Sequence, residues 1–475
     1  MTKLNLIFSI QKEVDIFMAR LFGTDGVRGV ANTELTCELS MQIGRAVAFI
    51  LSKDKNKKLK ILVGKDTRLS SDMLECALIS GCCSMGANVV KLGVISTPAV
   101  AYLTKHYAAD AGIMISASHN PFEFNGIKVF KYDGYKISED MEEEIENIVL
   151  DRSEEIKLPS CENLGVVTKA KNAKDDYIAH LKDTIGHDLS GLKVAIDCSN
   201  GASFSTAEKL FSALGAECFV LSDKPDGTNI NKGCGSTHIE NLVDFVKKHD
   251  IDAGFAFDGD ADRCIAIDEK GNVLDGDYIL AICSSYMRSK NKLAKNTVVG
   301  TVMSNMGVYE FLGGNSINFV SSKVGDKYVL MDMLKGGFNL GGEQSGHIIF
   351  LDHATTGDGQ LTAIQLLSII KDYKEPFSKI ASILTKYPQV MVNVVVCAEG
   401  KKRLDEDSIV QSEIKKVESE LSGKKEAGNS HKEGRVLVRA SGTEPLIRVM
   451  LEGKDLSKIK NMANRLADLI KARLS

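Results

Sequence analysis

The strongest constraint on the fold is a succession of strand, helix and strand that occurs three times along the chain. Each copy begins with a short β-branched run that ends in polar or glycine-rich residues, at 60–64, 194–197 and 297–300. A helical segment follows and stops at glycine before a second strand, at 86–90, 215–220 and 314–320. Strands that alternate with helices favour parallel sheets. The repeat predicts an α/β fold with three similar domains whose sheets are mixed or parallel.

Three polar loops occupy equivalent positions in this repeat. After a further helix, a third strand opens into residues 116–121, 258–263 or 342–347. Binding sites in such folds gather beyond the carboxyl ends of the strands. We therefore expect each domain to contribute one loop to a central cleft. The alternative is a coincidental rhythm of strands and helices, which would leave the three loops apart.

The C-terminal part of the chain has a different pattern. Runs at 390–394, 435–438 and 446–450 predict strands, and helical periodicity covers 409–421 and 459–474. The prediction is a smaller α+β domain, which places the four domains at 21–165, 166–269, 270–384 and 385–475. Residues 1–20 are a leader of unknown role, either a short amphipathic helix or non-native sequence before Met18.

Composition excludes several classes of partner. The 475 residues carry a net charge of −4, which argues against a nucleic-acid surface but not against small phosphate ligands. No apolar run approaches the roughly 20 residues that span a bilayer, so we expect no membrane insertion. The eleven cysteines contain no CxxC pair, a pattern typical of reduced thiols in a cytoplasmic protein.

A candidate nucleophile follows the apolar run at 112–115. Ser118 and His119 lie in the polar turn after this predicted strand, and Pro121 prevents the strand from continuing. A serine beside a proton carrier suits covalent catalysis. The alternative is an ordinary turn whose hydroxyls bond the local backbone.

A candidate metal site lies in residues 258–263. Asp258, Asp260 and Asp262 place three carboxylates at alternate positions, which favours a hard cation such as Mg²⁺. An EF-hand is excluded because Arg263 stands where that loop needs glycine and because the flanking runs predict strands. A solvated acidic turn remains the alternative.

Three further motifs suit phosphate and sugar recognition. The glycine-rich segment 22–29 contains Arg28, a forked donor for an anion. The loop 341–347 combines Glu343 with Ser345, and both side chains can bond sugar hydroxyls. A phosphate site needs guanidiniums, hydroxyls and a backbone amide, which the chain offers at Arg439, Ser441, Gly442, Thr443 and Arg448. Glycine turns and exposed salt bridges are the alternatives for these segments.

Together the motifs indicate phosphoryl transfer, which depends on charge neutralisation and positioning. A serine that accepts phosphate and a separate phosphate site imply a particular kind of substrate. One end of that substrate carries a phosphate and the other carries a reactive hydroxyl.

These motifs resemble those of the α-D-phosphohexomutase superfamily, in the same order from about Leu21 to near the C-terminus. The resemblance implies that Ser118 carries the phosphate and that its phosphate joins the three aspartates around one Mg²⁺ per chain. It assigns sugar binding to Glu343, Ser345 and His347. It assigns phosphate binding to Arg28 and to the five residues named above between 439 and 448.

The amino-acid sequences of segments 22–29 and 352–359, together with Gln344, resemble those of the glucosamine branch of that superfamily. The implied reaction interconverts glucosamine 6-phosphate and glucosamine 1-phosphate, a small-molecule hexosamine phosphate, for UDP-N-acetylglucosamine and cell-wall synthesis. Glucosamine 1,6-bisphosphate is the implied intermediate and activator. A homodimer and a kinase that primes Ser118 are the protein partners that the resemblance leaves open. The rival functions are those of a phosphomannomutase or phosphoglucomutase and, in a different class, of a non-catalytic sugar-phosphate sensor.

Proton transfer requires further residues, and His119, Lys128 and Arg263 complete the predicted catalytic set. Lys128 has two interpretations, either a general base of lowered pKa close to a metal and Arg28 or a simple phosphate contact. Lys323 and Asp326 are expected to line the third domain's side of the cleft.

Overall fold

A computed structural model describes residues 21–23, 25–53, 58–152, 156–422, 433–441 and 445–475. The predicted leader, residues 1–20, lies outside the described residues. The chain divides into two compact units. The first unit extends to Met303 and also includes Asn318–Ala381. The second unit comprises Ser304–Ile317 and Ser382–Ser475. None of the helices in the described ranges combines the length and the apolar character that crossing a bilayer requires.

The first sheet is mixed and is flanked by helices. Its strands are β1 (Phe22–Gly23), β2 (Gly26–Val30), β3 (Lys60–Lys65), β4 (Asn88–Val94), β5 (Ala111–Ile115), β6 (Phe124–Lys131) and β7 (Val167–Lys169). They are arranged in the order β1-β2-β6-β5-β3-β4-β7. The helices of this part are α1 (Cys37–Ser52), α2 (Ser71–Ser84), α3 (Thr97–His106), α4 (Glu139–Leu150) and α5 (Ala173–Lys182).

The second sheet has the strands β8 (Lys193–Asp197), β9 (Glu217–Leu221), β10 (Ala253–Phe257), β11 (Cys264–Asp268) and β12 (Val273–Leu274). Their order is β12-β11-β10-β8-β9. Two helices connect its parallel strands, α6 (Ala207–Ala213) and α7 (Glu240–Lys248), and α8 (Gly276–Ser289) follows the sheet.

The third sheet has the strands β13 (Thr297–Thr301), β14 (Asn318–Ser322), β15 (Leu340–Gly342) and β16 (Ile348–Phe350), in the order β14-β13-β15-β16. Between β13 and β14 the chain forms α9 (Met306–Gly314), which belongs to the second unit. The later helices of this part are α10 (Asp326–Gly336), α11 (Gly359–Tyr373) and α12 (Phe377–Ala381).

The predicted repeat is confirmed in these three sheets. In each of them a central strand pairs in parallel with the next two strands of the chain, as β3 does with β4 and β5. The third strand then pairs with an antiparallel neighbour, in β5–β6, β10–β11 and β15–β16. The loops at 116–121, 258–263 and 342–347 are therefore three versions of the same connection. Strands β5 and β10 are buried along their whole length, which explains their continuous apolar sequence.

The second unit is a small α+β structure, as predicted for the C-terminal part. Its strands β17 (Gln389–Val395), β18 (Gly434–Ala440) and β19 (Leu446–Gly453) form an antiparallel sheet in the order β17-β19-β18. The helices α13 (Ala398–Arg403), α14 (Ser408–Leu421) and α15 (Leu456–Leu474) accompany it. Helix α9 joins this unit because Glu452, which is fully buried, accepts a hydrogen bond from Met306 N at 3.1 Å.

Candidate active site

Ser118 lies in the loop that follows β5, and its backbone has a φ of 53°. This left-handed conformation is uncommon for residues other than glycine and turns the chain sharply. The Ser118 hydroxyl donates a hydrogen bond to Asp258 Oδ2 at 2.6 Å, and His119 Nδ1 lies 3.3 Å from the same hydroxyl oxygen. The predicted nucleophile is thus held directly against the acidic loop.

Asp258, Asp260 and Asp262 converge in the loop between β10 and β11. One carboxylate oxygen from each lies within 4.8 Å of the other two, and all three residues are buried. Asp260 Oδ1 and Asp262 Oδ1 are buried without a hydrogen-bond partner among the described residues. Unpaired buried oxygens are costly, and carboxylate oxygens are the ligands that Mg²⁺ and Ca²⁺ prefer. The residues present therefore fit a hard divalent cation.

The electrostatics of the three aspartates also favour a bound divalent cation. Burial, followed by the charges of Asp262 and Asp260, holds the pKa of Asp258 well above its usual value. Burial also acts to raise the pKa of Asp262, but nearby cations, Lys128 first, outweigh it and hold that pKa well below its usual value. Full ionisation of such a cluster requires additional positive charge, which a bound cation would provide.

Lys128, on β6, contacts three carboxylates. Its Nζ lies 2.8 Å from Asp260 Oδ2, 3.5 Å from Asp262 Oδ2 and 2.9 Å from Asp25 Oδ2. Burial alone would lower the pKa of Lys128, but these carboxylates outweigh burial and raise the pKa well above its usual value. Of the two interpretations of Lys128, the raised pKa favours the phosphate contact over the general base, because the fold surrounds the ammonium with acids. A charged Lys128 suits contact with a phosphate better than proton abstraction.

His119 has the opposite electrostatic environment. Burial, followed by the charges of Arg263 and Arg28, lowers the pKa of His119 to about 4, so its imidazole is neutral near pH 7. Arg28 donates to Asp25, and the backbone N–H of Arg263 donates to Asp258 Oδ1 at 3.2 Å. A neutral imidazole close to a hydroxyl can accept a proton.

The predicted sugar loop connects β15 to β16. Glu343 Oε1 accepts a hydrogen bond from Gly325 N at 2.9 Å, and Ser345 is exposed. Gly346 has a φ of 91°, and an added Cβ there would lie 2.3 Å from Cys264 O. Because Cys264 begins β11, this glycine allows the sugar loop to approach the end of the acidic loop closely.

His347 lies in the same loop but faces protein groups. Gly357 N donates to His347 Nε2 at 3.0 Å, and His347 Nδ1 lies 3.6 Å from Asp262 Oδ2. The residue is 2% exposed. His347 therefore connects the sugar loop to the acidic loop and to the segment 352–359, and its contact with sugar stays a prediction.

Lys136 is a member of the charged network that is not among the predicted site residues. Its ammonium bonds both Asp25 and Asp326, which are 111 and 190 positions away in the chain. Asp25 in turn contacts Lys128 and Arg28, so Lys136 extends the charged network from the first sheet to the expected cleft residue Asp326. A signal for Asp25 was present within the segment 22–29, whereas nothing local to Lys136 distinguishes it from a surface lysine.

The predicted distal phosphate residues lie in the second unit. Arg439 on β18 is the direct cross-strand partner of Arg448 on β19. Two like charges in that arrangement repel each other and favour a bound anion. Burial, followed by the charge of Arg448, lowers the pKa of Arg439. Ser441 is buried beside them in the chain, and the predicted residues Gly442 and Thr443 lie outside the described residues.

Comparison with known families covers most of the chain. Residues 19–155 match the family "Phosphoglucomutase/phosphomannomutase, alpha/beta/alpha domain I", residues 175–271 match its domain II and residues 275–387 its domain III. Residues 391–469 match its C-terminal domain. The chain belongs to the phosphoglucomutase/phosphomannomutase family. This α-D-phosphohexomutase thus has the predicted four-domain α/β architecture.

Several curated relatives of this phosphohexomutase are phosphoglucosamine mutases. The protein from Clostridium acetobutylicum is 54% identical over 456 residues, which cover 96% of this chain and 100% of the relative. The protein from Acetivibrio thermocellus is 53% identical over 457 residues, with the same coverage.

Solved structures share the fold at low sequence identity. A phosphoglucomutase/phosphomannomutase family protein from Burkholderia thailandensis has a TM-score of 0.80 at 23% identity, over 96% of this chain and 98% of that one. The N-acetylphosphoglucosamine mutase of Aspergillus fumigatus, in complex with GlcNAc-6P and magnesium, has a TM-score of 0.69 at 17% identity, over 96% of each chain.

Proposed function

We propose that this phosphohexomutase interconverts glucosamine 6-phosphate and glucosamine 1-phosphate, with Ser118 as the phosphate carrier. The observation that carries the proposal is the 2.6 Å hydrogen bond between the Ser118 hydroxyl and Asp258, a member of the acidic triad. Phosphoryl transfer requires the hydroxyl that accepts the phosphoryl group to lie close to the cation, and Ser118 has this position relative to the triad. The relatives named phosphoglucosamine mutase support the choice of reaction.

In the first half of the reaction, the P–O bond to phosphorylated Ser118 breaks while a P–O bond forms to the free hydroxyl of the sugar phosphate. That hydroxyl loses its proton to a base, for which we propose the neutral imidazole of His119. Glucosamine 1,6-bisphosphate results and stays bound. It then turns end for end, and the reverse of the first step returns its other phosphate to Ser118.

The remaining residues have proposed roles in binding. Asp258, Asp260 and Asp262 would hold one Mg²⁺ per chain, with the Ser118 phosphate as a further ligand. The bound ion would supply positive charge that neutralises the transferring phosphoryl group. Charged Lys128 and Arg263 would contact the same group.

Two groups of residues have proposed roles in recognising the substrate. Glu343 and Ser345 would bind the sugar hydroxyls. Arg439 and Arg448 would bind the phosphate that is not being transferred, and in turn either phosphate of the bisphosphate. A homodimer, a priming kinase and a cytoplasmic location stay predictions of the resemblance.

The test of this proposal compares three sugars on purified protein that has been phosphorylated with a hexose 1,6-bisphosphate. We expect kcat/KM for glucosamine 1-phosphate to exceed the values for glucose 1-phosphate and mannose 1-phosphate by about 10-fold or more. Ser118→Ala supplies the background rate. A higher kcat/KM for glucose or mannose would identify a phosphoglucomutase or phosphomannomutase instead. Rapid loss of the phosphoserine to water in the absence of sugar would indicate a phosphatase.

A further inference from the structure

We propose that Arg68 and Asn231 are positioning residues that hold the main chain of the Ser118 loop in its reactive conformation, an inference that rests on the proposed function. Neither residue contacts the Ser118 hydroxyl. Both instead donate to backbone carbonyls of the loop, Arg68 from the segment between β3 and α2 and Asn231 from the segment between β9 and α7.

The guanidinium of Arg68 is saturated by this role. Nη2 donates to Ser118 O and to Asn120 O, both at 2.9 Å, and Nη1 donates to Pro121 O and to Phe124 O. Nε donates the remaining N–H to an aspartate, so all five donors of the fork are used. Arg68 is 3% exposed and has no hydrogen to offer a ligand.

Asp66 fixes the orientation of that fork. Its Oδ2 accepts from Arg68 Nε at 2.8 Å and from the Ser116 hydroxyl at 2.7 Å, while its Oδ1 accepts from the Ser71 hydroxyl at 2.8 Å. The Ser116 oxygen also accepts from the backbone N–H of Ser118 at 3.0 Å. The Asp66 carboxylate therefore fixes the N–H of Ser118 through the Ser116 hydroxyl, and it fixes the carbonyl of Ser118 through Arg68.

Asn231, in the segment between β9 and α7, completes the arrangement. Its Nδ2 donates to Ser118 O at 2.9 Å and to Asn120 O at 3.0 Å, the same two carbonyls that Arg68 contacts. Each of these carbonyls thus has both of its lone pairs engaged. Gly259 lies against the same oxygen, since an added Cβ there would be 2.5 Å from Ser118 O.

These contacts explain how a serine keeps a left-handed backbone. The φ of 53° is unfavourable for a side chain, so it persists only when the surrounding structure fixes it. With the carbonyl and the N–H of Ser118 both held, the hydroxyl is directed toward Asp258. Loss of a holding contact should therefore displace the reacting oxygen without removing any group that binds the sugar phosphate.

The test uses the full-length, phosphorylated protein with Arg68→Lys and Asn231→Ala. Lysine keeps the charge of Arg68 but offers one nitrogen in place of a fork, so it cannot serve four carbonyls. We expect kcat to fall by about 10- to 100-fold in each variant, with KM for glucosamine 1-phosphate within about twofold of the wild-type value. A purely structural role would lower the melting temperature without this separation of kcat from KM.

Glu75→Gln is the matched control. Glu75 is buried in the same domain and contacts Lys65 and Lys91 rather than the Ser118 loop, so its variant should lose stability while keeping its kcat. Should Arg68→Lys fail to fold, Asn231→Ala decides the outcome. Wild-type kcat in the folded variants would overturn the inference alone. An inactive wild-type protein would overturn the proposed function and the inference together.

Discussion

At the scale of single residues, Ser118 and Ser199 combine the same backbone conformation with different partners of the hydroxyl. Ser118 follows β5, the third strand of the repeat in the first sheet, whereas Ser199 follows β8, the first strand of the repeat in the second sheet. Both residues have a φ of 53°. The Ser199 hydroxyl donates to Cys198 O at 2.7 Å within its own loop, whereas the Ser118 hydroxyl donates to Asp258 in another loop. The partner of the hydroxyl, rather than the backbone conformation, distinguishes the two serines.

Replacement of these serines tests that distinction. Ser118→Ala should lower kcat for glucosamine 1-phosphate by at least about 10³-fold, because the phosphate carrier is lost. Ser199→Ala removes a hydroxyl from a residue with the same backbone φ in the loop after β8 and should leave kcat within about threefold, since that hydroxyl bonds a carbonyl of its own loop. Steady-state kinetics on both proteins provide the measurement. Near-normal turnover by Ser118→Ala would remove Ser118 as the carrier.

At the scale of elements, the β18–β19 pair contains two contrasting arginines. Arg439 faces Arg448 across the strands, while Arg435 faces Glu452 and contacts its carboxylate at 2.6 Å. The second arrangement neutralises a buried acid, and the first concentrates positive charge. One pair of strands thus combines a stabilising contact with a proposed phosphate site.

Replacement of Arg448 tests the proposed phosphate site. We expect Arg448→Met to raise KM by about 10- to 100-fold for glucosamine 6-phosphate and glucosamine 1-phosphate alike, because each presents a phosphate to the same guanidiniums. Arg435→Met is the control on the same strand pair and should lower the melting temperature with little change in KM. A raised KM for only one of the two sugar phosphates would contradict a shared site.

Asp358, at the start of α11, should make the stability of the protein depend on pH. Asp358 caps this helix through Leu361 N at 3.0 Å and accepts from the Tyr177 hydroxyl at 2.7 Å, and burial raises its pKa to about 6. A raised carboxyl pKa means that the folded state favours the protonated form. Stability from this group is therefore complete below its unfolded pKa and is lost as the pH rises from about 4 to about 6.

Asp358→Asn cannot titrate and should lack this dependence. Between about pH 5 and pH 7.5, the free energy of unfolding of the variant should improve relative to the wild type by about 1–2 kcal/mol. Asp407, which caps α14, is the control, because the N–H of Val410, together with Arg473, outweighs burial and lowers the pKa of this carboxyl. Asp407→Asn should therefore show a constant offset over that range. Denaturation at several pH values measures both, and parallel curves for Asp358→Asn and the wild type would exclude the effect.

At the scale of the whole molecule, activity should depend on a metal held by the acidic loop beside Ser118, which comes from a different loop. Chelation with EDTA should abolish turnover, and added Mg²⁺ should restore it, because the carboxylates of the triad require a cation beside a transferring phosphoryl group. EDTA saturated with Mg²⁺ before addition is the control. Full turnover after exhaustive chelation would refute the assignment of the acidic loop.

Much of the architecture was predictable because its signals are local. The β-branched runs, the glycines that end helices and the polar loops after strands are properties of neighbouring residues, and β3, β8 and β13 occur where these signals lie. Helix α9 was less predictable. It follows β13 in the chain, yet a buried contact with Glu452, 146 positions away, places it in the second unit.

The sequence by itself determined the order of the strands and helices and the types of side chain in each loop, since periodicity and turn chemistry act over a few residues. Only the tertiary structure decided which of those side chains meet. Ser118 is 140 positions from Asp258, 50 from Arg68 and 113 from Asn231. Charges and hydrogen bonds act through space, so the raised pKa of Lys128 and the left-handed Ser118 follow from packing that no local pattern records.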